Sequence, residues 1–107
     1  MNREKAIAAL AALAHETRLD VFRLLVRRGG EGMAPSAIAD QLRLAPATLS
    51  FHLKELKIAG VVRCERRGRS LLYSPDFTAM TGLLEFLTAN CCESVSACTP
   101  SRSKRSA

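Results

Sequence analysis

A mainly helical domain with one β-hairpin, four helices before the hairpin and one after it, is the fold class that this 107-residue sequence predicts. Three observations carry that expectation. Apolar residues recur at helical spacing in several stretches before residue 60 and again after residue 75. Two short alternating runs rich in Val, Leu and Arg lie between them, around Arg67-Gly68. Gly or Pro punctuates the joins, at Gly29-Gly30, Pro35, Pro46, Gly60 and Pro75.

The elements follow in order. Met1 to Lys5 and the apolar run Ala6 to Ala14 imitate a short secretory signal, with Ala12-Leu13-Ala14 shaped like its cleavage site. The stretch is shorter than the roughly 15 to 30 residues of such signals, and its charged start contains Glu4. Ile7, Leu10 and Leu13 fall along one helical face, so an alanine-rich first helix is expected, in a protein that stays in the cytoplasm. From Glu16 to Arg28, Leu19, Phe22 and Val26 form one stripe with Leu25 beside it, and Gly29-Gly30 stop this second helix. Pro35-Ser36 opens a short third helix with Ile38, Ala39 and Leu42 facing inward, and Arg43 to Ala45 make a turn. Pro46 suits a first helical position, and Leu49, Leu53 and Leu56 recur at i, i+4, i+7 up to Gly60. Two short helices joined by a three-residue turn are a helix-turn-helix.

Val61 to Arg66 and Arg69 to Ser74 then form the hairpin, with Cys64 alternating with Val62 and facing inward as a small hydrophobe. Pro75 ends it, Asp76 caps the last helix, and Met80, Leu83, Leu84 and Leu87 mark an apolar face running to about Asn90. The expected division is residues 1–90 as a DNA-binding and dimerisation domain and 91–107 as a cysteine-containing, basic tail whose composition predicts flexibility. The whole is a winged helix-turn-helix.

Composition limits the function. The chain is long enough for one domain, and a domain of this size gains from a partner subunit. Its longest uninterrupted apolar run, Ala6 to Ala14, is far below the roughly 20 residues that span a bilayer, so no membrane partner is expected. The net charge of +6 suits a polyanion, and it clusters: between Lys54 and Arg69 lie Lys54, Lys57, Arg63, Arg66, Arg67 and Arg69 against only Glu55 and Glu65. With Leu49, Leu53 and Leu56 buried, a rotation of about 100° per residue puts Ala47, Phe51 and Lys54 on the open side of the fourth helix, flanked by Thr48 and Ser50. These five are the groove-facing candidates, and Arg66, Arg67 and Arg69 are the candidates for phosphate or minor-groove contact. Phe51 has a second reading, packing against the wing or a neighbouring helix. His52 reads as a structural histidine with its hydrogen bonds satisfied.

The stretch Leu13-Ala14-His15-Glu16-Thr17-Arg18-Leu19, then Ser50-Phe51-His52-Leu53-Lys54-Glu55-Leu56 with Ala59-Gly60-Val61-Val62, then Gly68-Arg69 to Tyr73, resembles the ArsR/SmtB family of bacterial repressors. The likeness covers roughly residues 6 to 90. It implies a homodimer paired through the first and last helices, bound to double-stranded operator DNA and released when a metal or metalloid ion binds.

That resemblance also frames the inducer site. One type of arsenic sensor in the family carries Cys-x-Cys on the third helix, where this chain has Met33, Ala34, Pro35 and Ser36. Zinc sensors of the family use Asp and His on the last helix, but this chain's only histidines are His15 and His52. Cys91, Cys92 and Cys98 remain, similar to arsenic-sensing members with thiols at the end of that helix. Soft thiolates suit thiophilic ions, and trivalent arsenic, with three bonds and a lone pair, needs no fourth ligand. Trivalent arsenic is the expected inducer, with antimony an option and methylarsenite needing only two of the thiols. Redox sensing by the vicinal pair stays open. A thiol enzyme is disfavoured, because the sequence shows no phosphate-cradling loop and no positioned base. A DNA-binding protein without a sensor is the remaining rival.

Overall fold

The structure, a computed structural model, describes residues 1–90. Helix α1 (Arg3–Leu13) begins three residues before the expected Ala6, because Asn2 caps it: the Asn2 side-chain oxygen accepts from the Lys5 N–H at 2.8 Å. Helix α2 (Glu16–Arg28) has the expected span, and His15 is its cap. Helix α3 (Pro35–Leu42) and helix α4 (Pro46–Ile58) both open on proline, which fits a first turn whose N–H has no helical partner. Arg43 turns the chain between them in the left-handed conformation, at φ 56° and ψ 49°.

Strand β1 (Val62–Arg67) pairs antiparallel with β2 (Ser70–Pro75), with Cys64 opposite Tyr73 and Arg67 opposite Ser70. The two-residue turn is therefore Gly68-Arg69, one residue later than Arg67-Gly68. Gly68 sits there at φ +63°, where a side chain is disfavoured. A contact that alternation could not reveal ties the hairpin to the body: Met33 and Tyr73 exchange both backbone hydrogen bonds, at 2.9 and 2.8 Å. Gly32 makes that approach possible, since a Cβ there would lie 3.0 Å from the Tyr73 carbonyl oxygen. Helix α5 (Phe77–Thr88) follows, its Ala79 N–H donating to the Asp76 carboxylate at 3.0 Å.

The core is built from Val21 and Leu25 of α2, Ile38 of α3, and Leu49, Leu53 and Leu56 of α4, all essentially inaccessible, closed by Val61 and Val62. Two expected faces are corrected. In α1 the buried residues are Ala6, Ala9 and Ala12, while Ile7 and Leu10 are 56% and 42% exposed. From Ala6 onward every side of this helix is apolar. Close packing on α2, α4 and α5 takes the smallest side chains inward and leaves the larger ones out. In α2 the buried face is rotated toward Val21 and Leu24, leaving Leu19 exposed, because α2 packs against α1, α3, α4 and β2 at once. On α5 only Leu83 is buried, and Leu84 and Leu87 face outward.

Leu56→Ala removes a fully buried side chain at the centre of this packing. It is expected to lower unfolding stability by about 2–5 kcal/mol in urea titrations, and a midpoint unchanged from wild type would contradict the described core.

Candidate nucleic-acid interface

Helix α4 has one side in the core and the opposite side open. Leu49, Leu53 and Leu56 are buried, and Ala47, Thr48, Ser50, Phe51 and Lys54 are all exposed. Phe51 is 57% exposed, and its one described aromatic contact is the edge of His52, at 5.4 Å between ring centroids, not the hairpin. At the hairpin end, Arg66, Arg67 and Arg69 are exposed as well, and Arg63 is exposed at the hairpin's base. Arg67 meets Glu65 at 3.7 Å, but both side chains are about two thirds exposed, so the pair is worth at most about 1 kcal/mol and leaves the guanidinium available. Guanidinium groups on a projecting tip and hydroxyls on a helix face are the chemistry of phosphate and base-edge contact.

Two further features were not anticipated from the sequence. Gln41 and Arg43 are exposed at the corner between α3 and α4, where only a turn had been expected. Ala34 and Ala45 stand at the N-cap positions of α3 and α4, so neither helix receives a side-chain cap and the first-turn N–H groups are left for another acceptor. The signal was present in the sequence as alanine in places where Ser, Thr, Asp or Asn is usual.

His52 is buried, at 7% exposure, as a structural histidine should be, but its expected satisfaction is not found: Nδ1 has no hydrogen-bond partner. An orphan polar atom of this kind costs about 1–3 kcal/mol. The His15 ring lies 4.7 Å away, and its Nδ1 accepts from the N–H groups of Thr17 and Arg18 at the start of α2. Burial first, then the His15 and Arg18 charges, hold His52 below the ordinary value of 6.5, with Glu55 opposing. In the hairpin, Cys64 is half-buried opposite Tyr73, whose hydroxyl ionises less readily because of burial first and the neighbouring Cys64 thiol second.

A shallow groove of about 870 Å³ lies on another side of the molecule, between α1, the end of α4 and α5. Its lining includes Glu4, Lys5, Arg63 and Glu85 but no histidine or cysteine. Among the described residues no three His, Cys, Asp or Glu side chains come together to hold a metal ion. Asp76, just before α5, caps that helix, its carboxylate accepting the Ala79 N–H. The candidate ligands Cys91, Cys92 and Cys98 lie outside the described residues. Also among those residues, no helix is long and apolar enough to cross a membrane.

Residues 13–65 match a family described as a helix-turn-helix domain. An uncharacterized HTH-type transcriptional regulator of Methanocaldococcus jannaschii is 37% identical over 65 residues, covering 61% of this chain and 71% of that protein. The transcriptional activator HlyU of Vibrio cholerae is 26% identical over 92 residues, covering 86% of this chain and 82% of that one. Among solved structures, the homodimeric winged helix-turn-helix DNA-binding domain of a possible ArsR-family regulator from Mycobacterium bovis is similar at a TM-score of 0.64 and 27% identity, covering 81% of each chain.

Two outcomes follow from the geometry. Changing Arg66, Arg67 and Arg69 together to alanine should weaken duplex binding and reduce the slope of log affinity against log salt by about one unit for each phosphate no longer neutralised; an unchanged slope removes the hairpin from the interface. Separately, because His52 is harder to protonate when folded, its contribution to stability is complete above about pH 6.5 and declines as pH falls below that value. Urea titrations from pH 7.5 to 5 should show this decline in wild type and a shallower one in His52→Gln; identical profiles would contradict it.

Proposed function

The chain belongs to the ArsR family of winged-helix transcriptional regulators, and from that premise we propose that it is a homodimeric, thiol-dependent repressor that leaves its operator on capturing trivalent arsenic. Helix-turn-helix regulators bind DNA, and they are not enzymes. The observation that carries the DNA half of the reading is the joint exposure of the open side of α4 and the arginine-rich hairpin end, outside a core that fixes both. Ala47, Thr48, Ser50, Phe51 and Lys54 read the major groove, and Arg66, Arg67 and Arg69 hold phosphates.

Dimerisation uses the apolar residues that the single chain leaves in water, Ile7 and Leu10 of α1 and Leu84 and Leu87 of α5, on two helices already in contact. The Mycobacterium bovis relative is described as homodimeric, which supports the same arrangement here. Residues 1–90 thus serve DNA binding and pairing, and 91–107 carry the sensor, working in the reducing cytoplasm where thiols stay free.

Cys91, Cys92 and Cys98 follow directly on α5. As thiolates they supply three soft donors to arsenic or antimony, which form stable bonds to sulfur. Capture there alters the end of the pairing helix and, through it, the spacing of the two α4 helices. A coupling of about 1–3 kcal/mol lowers operator affinity roughly 5 to 150-fold. The vicinal Cys91-Cys92 pair also favours a second reading, release by thiol oxidation. Because the Vibrio cholerae relative is described as an activator, a reporter assay decides the sense of control.

The test is fluorescence anisotropy on a duplex selected from a random-sequence pool, titrated in parallel with arsenite, antimonite, methylarsenite, zinc and peroxide. Arsenite should release the wild-type protein, and Cys91→Ser/Cys92→Ser/Cys98→Ser should bind with unchanged affinity and no longer respond. Release of that variant by arsenite contradicts the site, and release by peroxide alone selects the redox reading. Leu84→Asp with Leu87→Asp should shift sedimentation from dimer to monomer and weaken duplex binding; a persistent dimer places the interface elsewhere.

A further inference from the structure

Two imidazoles stand behind the exposed ring of Phe51. His15 caps α2 through Nδ1, which accepts the Thr17 N–H at 3.1 Å and the Arg18 N–H at 3.4 Å. That nitrogen must be unprotonated to do so, since a proton there would face two other donors. His52, on α4, lies 4.7 Å from the His15 ring, buried, with Nδ1 unpartnered, and its own edge supports Phe51 at 5.4 Å. The three rings connect the start of α2 to the open side of α4.

The surroundings of His52 favour a neutral ring. From α2, His52 meets His15 and Arg18; from its own helix, Glu55 is the one opposing charge. Arg18 is itself held against α1, its Nε donating to the Ala12 carbonyl at 2.8 Å. A proton on His52 adds positive charge beside Arg18, and one on His15 Nδ1 removes the α2 cap that this nitrogen makes as an acceptor.

We propose that His15 and His52 form a proton-sensitive support that positions Phe51 for base contact, so that acidification weakens sequence-specific DNA binding while leaving phosphate contacts in place. His15 and His52 are positioning residues in this scheme, and the inference rests on α4 being the DNA-reading helix. The arginines of the hairpin keep their charge across the same pH range, so affinity for duplex of unrelated sequence is unaffected. Protons taken up on release tie affinity to pH, at up to about tenfold per pH unit for each proton.

Two measurements test it. First, anisotropy at fixed salt compares a selected duplex with a scrambled one from pH 7.5 to 5.5. The specific-to-scrambled affinity ratio of wild type should fall by about two- to tenfold, while His15→Asn/His52→Gln, which keeps a capping oxygen at position 15, should hold a flat ratio. A flat wild-type ratio, or a variant that follows the wild-type profile, overturns the proposal. Second, the full chain has only two histidines, so their ring NMR signals can be followed directly without DNA. His52 should titrate below the range of an exposed histidine, with the Phe51 ring signal moving at the same midpoint. A His52 titration in the ordinary range, or a Phe51 signal that does not follow it, also overturns the proposal. Loss of all duplex binding at pH 7.5 would instead remove the DNA reading while the ring titration still reports on the pair.

Discussion

Burial of Leu49, Leu53 and Leu56 fixes the rotation of α4 about its own axis, and the remainder of the interface depends on that constraint. A helix with one side in a close-packed core can offer only the opposite side to a ligand. Because α4 packs on α3, on α2 and on the start of β1, the same burial also sets where the hairpin begins. The Asp76 N–H donates to the Val61 carbonyl at 2.9 Å, and Met33 is bridged to Tyr73, so the base of the hairpin is tied to the body while its arginine-bearing end projects free. A fixed helix face beside a projecting cationic tip is the arrangement that the proposed division between base recognition and phosphate binding requires.

Much of this was legible in the sequence, for a physical reason that also explains the failures. Where large apolar residues alternate with charged ones, as in α4, periodicity names the buried side, and Leu49, Leu53 and Leu56 are where spacing put them. In α1 both sides are apolar, so periodicity selected the bulky Ile7 and Leu10, while packing selected Ala6, Ala9 and Ala12. In α2 the stripe through Leu19 was sound for a helix buried on one side, but this helix has neighbours on several. The hairpin turn moved by one residue because Gly68 takes the left-handed position and Arg69 completes the turn. The Met33–Tyr73 bridge depends on contact between segments forty residues apart, which no local pattern encodes.

The site divides in the same way. The open residues of α4 and the hairpin arginines follow from local spacing and charge, and all of them are exposed. The orphan Nδ1 of His52 does not, because it depends on what His15 and Arg18, from the start of α2, place beside it. The proposal that Cys91, Cys92 and Cys98 sense an inducer stands on donor chemistry and on their position after α5. Leu84 and Leu87, exposed on that helix, are the apolar surface that the proposed pairing covers, and pairing there is what links the thiols to the spacing of the two α4 helices in the proposed mechanism.

The central claim is that α4 and the hairpin end contact DNA together. Amide chemical-shift mapping of the full chain against a selected duplex tests it most directly. The largest perturbations are expected at residues 47–54 and 66–69, with the groove between α1 and α5 little changed. Perturbations concentrated around Ile58, Thr81 and Glu85 in that groove, with Phe51 and Arg67 unmoved, would contradict it.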